Sequence, residues 1–494
     1  MNTEKHGRGS RGEARISTWL WFVVLAAAAG LTSFRSTYEP DLWWHLAQGR
    51  EVAAGHLVRA NLFSASYPDY PQYYSSWLFD AGAYLLFTRI GPAAIQAVQA
   101  LLIAATLAVG ALAARSRASL ASTVVVCAIG LAVLEPRALP RPHVFSFLGL
   151  AACAYLIERA RATRSWRPLL WAPPLVAAWS NIHLECVFGV ALVGLFGLSE
   201  WLRPRDLSRR DATAVIGVAL IATLATAVNP YGFGLLRHTW LNSFVPGFIA
   251  IAELQPPYFP NYAAFYAWAA LCVVAIAVTW QRARVLPPAF DLMSVLLFAA
   301  LGFRYLRLTP LLFVVSAALV ARGLDAALSR ETSRRIAAAA AIAGVLLCAT
   351  VPLPGWRRGI EIGGESLEPR DVFSPAAMAF AREHGLAGPA FTSINLGGYV
   401  AWHLYPSARI FVDSRLQAYP PEHFRAIHDA SFDFAEWDRL TAGVDWAVLS
   451  VPRSNPLSGA GRFDPAEWGT AYGDAAIEIL VRRGGRYGAL AGGS

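Results

Sequence analysis

The sequence predicts a polytopic α-helical membrane protein of about eleven transmembrane helices with a small C-terminal α/β domain outside the membrane. Three observations predict it. Hydrophobic residues make up 56% of the 494 and charged residues only 15%, a balance that ordinary water-soluble globules do not have. Apolar runs near the length of a membrane span recur between residues 16 and 353; a span takes about 20 residues at about 1.5 Å each. From about Gly359 the composition becomes that of a soluble domain.

The N-terminal tail, 1–15, carries Lys5, Arg8, Arg11 and Arg15 ahead of the run 16–34. That run is expected to stay as a first helix, since it is long enough to span and no small-residue cleavage site precedes Arg35. Further runs lie at 92–114, 119–134, 143–158, 168–182, 184–202, 212–228, 262–281, 288–303, 305–322 and 335–353. The apolar stretch 77–90 carries Asp80 and Arg89 and stops at Gly91-Pro92. Taken as an interfacial helix, it leaves all the basic loops on one side: the N-terminus, 115–118, 159–167, 203–210, 282–284 and 322–335. The positive-inside rule then gives a multi-pass plasma (inner) membrane protein with its N-terminus in the cytoplasm. The transmembrane domain covers 16–353, including an outer loop 35–91, and the extracytoplasmic domain covers 359–494.

Within that last domain, helices are expected at 375–384, 421–430 and 434–441, a helix or turn at 398–404, and strands at 389–393, 409–412, 445–450 and 476–481. The alternation predicts helices packed on a sheet. The net charge of +9 resides mainly in the short basic loops, so it sets orientation and implies no nucleic-acid partner. All five cysteines lie in or beside apolar runs, which argues against structural disulfides and a cysteine-ligated zinc.

Directly after the first run comes Glu39-Pro40-Asp41-Leu42-Trp43-Trp44-His45. A base, a proton handler and amphipathic anchors are the parts of a catalytic mouth; Asp41 is the candidate base, with Glu39 and His45 beside it. The plainer reading is an aromatic belt at the membrane boundary. The loop continues with Phe63, Tyr67, Tyr70, Tyr73, Tyr74 and Trp77, rings that with Trp43 and Trp44 could line a sugar-binding cleft.

Arg137, Arg141 and His143 stand among Pro136, Pro140 and Pro142, which end helices. Arginine pairs bidentately with phosphate, so a lipid phosphate is a natural partner; snorkelling to headgroups is the alternative. Asn181, His183 and Glu185 occupy a hairpin. A divalent metal there would have two ligands and no third, which fits a hydrogen-bonded cluster better, and no metal ligand is assigned. The long loop from Asn229-Pro230-Tyr231-Gly232 to Asn261 holds Glu253, and Arg304 and Arg307 flank Tyr305 on the same side. A charge at membrane depth costs on the order of 3 kcal/mol, so such groups gather where a cavity or a function needs them. Neither a P-loop nor a dinucleotide fingerprint occurs, so no soluble nucleotide cofactor is implied, and a divalent metal stays open. Gly397-Gly398-Tyr399 with Asp413 and Arg415 reads as a turn followed by a buried ion pair, or else as a second site over the membrane cavity.

These features resemble the GT-C class of membrane glycosyltransferases, of the protein mannosyltransferase and aminoarabinose transferase type. More closely, the chain is similar to a group of bacterial polytopic membrane proteins. The shared motifs are Asp41-Leu42-Trp43-Trp44-His45, Trp77-Leu78-Phe79, Arg141-Pro142, Asn181-Ile182-His183, Asn229-Pro230-Tyr231-Gly232, Gly397-Gly398-Tyr399 and Asp413-Ser414-Arg415. The resemblance implies sugar transfer from a polyprenyl-phosphate-linked donor to a lipid, glycan or protein acceptor on the outer face. Asp41 would be base toward the acceptor hydroxyl, and Arg137, Arg141, Arg304 and Arg307 would hold the donor phosphate. Trp43, Trp44, His143, Asn181, His183 and Glu253 would bind substrate. The chain departs from the better-known families in having no placed second acidic motif, with Glu135 only a candidate, and in carrying Glu185 where related chains have a small residue. A carrier or flippase for a lipid-linked sugar is the rival; polar groups gathered at one face and no internal repeat favour the enzyme.

Overall fold

The computed structural model describes residues 39–242, 252–329, 373–430, 433–451 and 463–492, with short stretches at 331–333 and 335–339. The expected tail 1–15, first span 16–34 and most of the run 335–353 lie outside the described residues. In chain order the helices of the first half are α1 (Asp41–Ala53), α2 (Trp77–Arg89), α3 (Pro92–Arg115), α4 (Leu120–Leu134), α5 (His143–Thr163), α6 (Ala172–Trp179), α7 (Cys186–Leu202) and α8 (Arg209–Ala225). They are followed by α9 (Gly234–Asn242), α10 (Ala263–Ala283), α11 (Ala289–Arg304) and α12 (Thr309–Ala327). The chain divides into two compact units, one from Gln96–Gly232 and Ile251–Arg358, the other from Ser36–Ile95, Phe233–Ala250 and Gly359–Ser494. The first loop thus groups with the C-terminal domain.

In the helical unit α12 packs against α4, α5, α10 and α11. Its residues Leu311, Leu312, Phe313, Val314, Ala317, Leu319, Val320 and Ala321 are all buried, as expected of a helix that is apolar all round. The ring of Trp268 on α10 meets Phe313 edge-on at 5.0 Å, and its Nε1 donates to Ser316 Oγ at 2.9 Å, which satisfies the buried indole. Five helices among the described residues are long and apolar enough to cross a membrane: Pro92–Arg115, Leu120–Arg137, His143–Thr163, Ala263–Arg282 and Leu306–Ala327. Other expected runs form shorter helices, α7, α8 and α11. The run 168–182 is broken into a 3-10 turn, Arg167–Trp171, and the short α6, because Pro168, Pro173 and Pro174 remove backbone donors.

Where α5 ends, Arg161 is fully buried and answered on every side. Its Nε donates to Asp206 at 2.9 Å, and its NH1 donates to Glu158 at 2.9 Å and Asp291 at 2.7 Å. Arg322 also pairs with Asp291, and Arg117 with Glu158.

The second unit completes the chain with α13 (Pro375–Glu383), β1 (Gly388–Thr392), α14 (Gly397–Leu404), β2 (Ala408–Ile410), α15 (Pro421–Ala430), α16 (Phe434–Leu440), β3 (Trp446–Ser450), β4 (Trp468–Gly473) and β5 (Ile477–Arg482). The sheet runs β2-β1-β3-β5-β4, parallel from β2 through β3 and antiparallel beyond. Sequence reading misses β4. Its two glycines and the irregularity at Thr470/Tyr472 weaken the strand pattern. The first loop covers the other edge: Ile410 N donates to Phe63 O and Ala65 N to Ile410 O, both at 2.8 Å, so β2 is not left as an open edge.

Candidate functional site

The Asp41 segment, expected as loop, is helical. Residues Leu42 to Gly49 are all buried, because α2 and α14 both pack on α1. Glycine permits both approaches: a Cβ on Gly49 would lie 2.0 Å from Asp80 O, and one on Gly398 would lie 2.9 Å from Trp44 N. The Gly397-Gly398 pair therefore serves close packing. Trp43 is 3% exposed and Trp44 7%. The Trp43 ring meets Tyr399 at 5.1 Å and Phe373 at 5.7 Å edge-on, which places these tryptophans in the core rather than along an open cleft.

On α1, Asp41, His45 and Gln48 recur at i, i+4 and i+7, which puts them on one face of the helix. Asp41 is half-buried at the first turn, where the helix dipole favours a carboxylate. Its backbone N–H donates to Glu39 Oε1 at 3.1 Å, and its Oδ1 accepts from Ser414 Oγ at 2.5 Å. His45 is 2% exposed, with Nδ1 2.5 Å from Asp80 Oδ1. Burial pushes the Asp80 carboxyl well above its ordinary range, against the opposing pull of Ser76 and Arg415, which favours its protonated form. With its amide oriented by its neighbours, Gln48 donates to Asp80 Oδ2 at 3.0 Å and accepts from Arg415 NH1 at 3.2 Å.

Arg415 closes this network. Its Nε donates to Asp413 Oδ2 at 2.7 Å and its NH2 to Asn61 Oδ1 at 2.9 Å, and its guanidinium lies 5.0 Å from the Phe63 ring centre. Burial works against its charge, but the Asp413 carboxylate outweighs it and holds the guanidinium protonated. The expected Asp413–Arg415 ion pair is thus present and fully buried.

The remaining candidates lie in the helical unit. Arg137 NH1 and Arg141 NH1 both donate to Glu253 Oε1, at 2.9 and 2.7 Å. Burial would raise the Glu253 carboxyl, but Arg141, Arg137 and Arg307 hold it well below the ordinary range. His143 Nε2 lies 2.8 Å from Arg137 O. His183 Nδ1 lies 2.8 Å from Ser146 Oγ and 3.5 Å from Glu185 Oε2, and Arg307 reaches Glu185 Oε1 at 3.5 Å. Arg304 donates to Leu254 O at 3.3 Å and lies over the Tyr305 ring. Asn181 donates to Ala177 O at 2.8 Å and Val228 O at 2.7 Å, tying its turn to the end of α8. Among the described residues no group of three or more His, Cys, Asp or Glu is placed to hold a metal ion.

The predicted site residues therefore form two clusters. Glu39, Asp41, Trp43, Trp44 and His45 belong to the second unit, and Arg137, Arg141, His143, Asn181, His183, Glu253, Arg304 and Arg307 to the helical unit. Sequence reading misses Gln48, Asp80 and Ser414 as partners in the first cluster. The spacing of Asp41, His45 and Gln48 was a signal for the helix that carries them.

No family model matches the chain, and no curated protein matches it in sequence. Solved structures do. The apo oligosaccharyltransferase of Archaeoglobus fulgidus aligns with a TM-score of 0.53 at 12% identity, over 87% of this chain and 69% of that one. The same enzyme tethered to an acceptor peptide containing the NVT sequon gives 0.52 at 11%, over 87% and 69%. AglB from the same organism, in complex with an inhibitory peptide and a dolichol-phosphate, gives 0.56 at 12%, over 91% and 72%. At such identity the likeness is one of fold: the chain has a GT-C-like fold. With its apolar helices this makes it a membrane protein.

Proposed function

We propose that the protein transfers a sugar from a polyprenyl-phosphate-linked donor to an acceptor on the outer face of the membrane. The observation that carries this reading is the Asp41 carboxylate, half-buried at a helix start and held by Ser414 on a face whose other polar groups are locked in a buried network. The fold likeness supports it, since one structural neighbour was solved with a dolichol-phosphate and another with an acceptor peptide.

In the reaction, Asp41 takes the proton of an acceptor hydroxyl as its oxygen forms a bond to the anomeric carbon. The bond from that carbon to the phosphate oxygen breaks, and the lipid phosphate leaves with the electron pair. A carboxylate base of this kind contributes about 10²- to 10⁴-fold. Arg137 and Arg141 hold the phosphate: their convergence on one carboxylate oxygen is the geometry by which two guanidinium groups grip an anion. Arg304 and Arg307 add positive charge, and His143, Asn181, His183 and Glu253 are assigned to substrate binding. Glu39 and His45 are assigned beside Asp41 in the catalytic group, Glu39 accepting from the Asp41 backbone N–H and His45 held by Asp80.

The test offers purified protein undecaprenyl-phosphate-linked mannose, glucose and aminoarabinose in turn, with a cell-envelope lipid fraction as acceptor, and reads released undecaprenyl phosphate. Wild type releases it from one donor, and Asp41→Asn, folded and still binding that donor, does not. Wild-type turnover in Asp41→Asn removes the base assignment. Binding without release by the wild type supports the carrier instead.

A further inference from the structure

We infer that Ser414 is the positioning residue for Asp41, and that the C-terminal domain is thereby part of the catalytic machinery. The inference rests on the reading of Asp41 as the base. Ser414 and Arg415 are consecutive, and they grip one helix at two points. Ser414 Oγ donates to Asp41 Oδ1 at 2.5 Å, while Arg415 NH1 lies 3.2 Å from the Gln48 amide oxygen. Asp41 and Gln48 are two turns apart on one face of α1, a rise of about 10 Å. The grip therefore fixes both the place of the carboxylate and the rotation of the helix that carries it.

The clamp itself is rigid. Arg415 N donates to Asp413 Oδ1 at 2.9 Å and Leu416 N to Ser414 O at 3.0 Å, which closes the backbone around Ser414. The Arg415 side chain is anchored on Asp413 and Asn61, both fully buried. A hydroxyl donor to one carboxylate oxygen selects one orientation of the group, which matters for a base that must meet a proton within hydrogen-bond reach. Ser414 also lacks the charge that would neutralise the carboxylate. An arginine or lysine at this position would pair with Asp41 as an ion, whereas a hydroxyl orients the carboxyl without adding charge.

The experiment compares Ser414→Ala and Ser414→Thr with wild type in the release assay, with donor KM and kcat separated and folding checked by thermal midpoint in detergent. Ser414→Ala is expected to lower kcat by about 10- to 100-fold, the worth of one hydrogen bond to a charged group, with donor KM and midpoint near wild type. Ser414→Thr, which keeps the hydroxyl, is expected to restore most of kcat. In an Asp41→Asn background Ser414→Ala is expected to add no further loss. Full kcat in Ser414→Ala overturns the inference while an inactive Asp41→Asn leaves the base reading standing. Full turnover in Asp41→Asn, or no release by wild type from any donor, overturns both. Equal loss in Ala and Thr, or a fallen midpoint accounting for the loss, makes Ser414 structural and also overturns the inference.

Discussion

At the end of the helical unit where α5 stops, three arginines, Arg117, Arg161 and Arg322, are interleaved with three acids, Glu158, Asp206 and Asp291. Where α5 begins, Arg137 and Arg141 share a single oxygen of Glu253, and Arg307 reaches Glu185 only at 3.5 Å. Both ends use the same residue types. At the first the charges are closed on one another around a fully buried Arg161, and such an arrangement locks helices together. At the second, two guanidinium groups converge on one oxygen of a carboxylate that is a quarter exposed, the way two arginines also grip an anionic ligand. The contrast is between a fully buried hub and a partly exposed convergence.

The sharpest way to break this contrast is Arg161→Leu. It removes the central cation and leaves Arg322 alone against Asp291 and Arg117 alone against Glu158 and Asp206, and the expected cost is about 3–5 kcal/mol, seen as loss of monodisperse folded protein in detergent. If Arg161→Leu folds normally, the closed network is not a strut. The matching change at the other end, Arg137→Ala with Arg141→Ala, is expected to spare the fold and weaken binding of farnesyl phosphate by about 1.5–3 kcal/mol for each charge-assisted hydrogen bond lost. A collapse of the fold instead would make both ends alike. Glu253→Gln removes the carboxylate that competes for the two arginines, so the affinity for farnesyl phosphate should rise several-fold in a titration; a fall would show that Glu253 builds the site rather than guarding it.

The smallest effect concerns the second unit and acid. Burial, then Arg382 and Arg50, lower His403 from 6.5 to about 3, and burial lowers His423 from 6.5 to about 4. Between those values and 6.5 the unfolded chain binds protons that the folded chain refuses, so stability falls as pH drops below about 6.5. The thermal midpoint followed by intrinsic fluorescence should decline from pH 7 to pH 5, and His423→Gln should flatten the slope. A flat profile in the wild type would mean that these imidazoles are protonated in the folded state.

Much of the fold is legible in the sequence because hydropathy and alternation are local. The runs at 92–114, 143–158 and 262–281 fall on helices long and apolar enough to cross a membrane, Pro92–Arg115, His143–Thr163 and Ala263–Arg282, and the helix expected at 421–430 is α15. The helix α1 is harder to read: with Leu42 to Gly49 all buried it lacks amphipathic contrast, and the spacing of Asp41, His45 and Gln48 is the one local sign of it. The partners that hold Asp41 and His45 are remote, Asp80 lying 35 residues from His45 and Ser414 373 residues from Asp41. No local pattern carries such pairings. Glu253 was visible as an acid in a long loop, but its grip on Arg137 and Arg141 belongs to the fold.

The covering of β2 by the first loop sets an order of events during synthesis. Asn61, Phe63 and Ala65 leave the ribosome long before Ile410 and Arg415, their partners. At about 5–20 residues per second the wait lasts on the order of half a minute, during which Gln48, Asp80 and Asn61 lack the guanidinium that later joins them. A message broken before codon 415 would yield a membrane-inserted chain that still displays this unmatched polar face. Such a chain would be marked for proteolysis by the very residues that complete the finished fold.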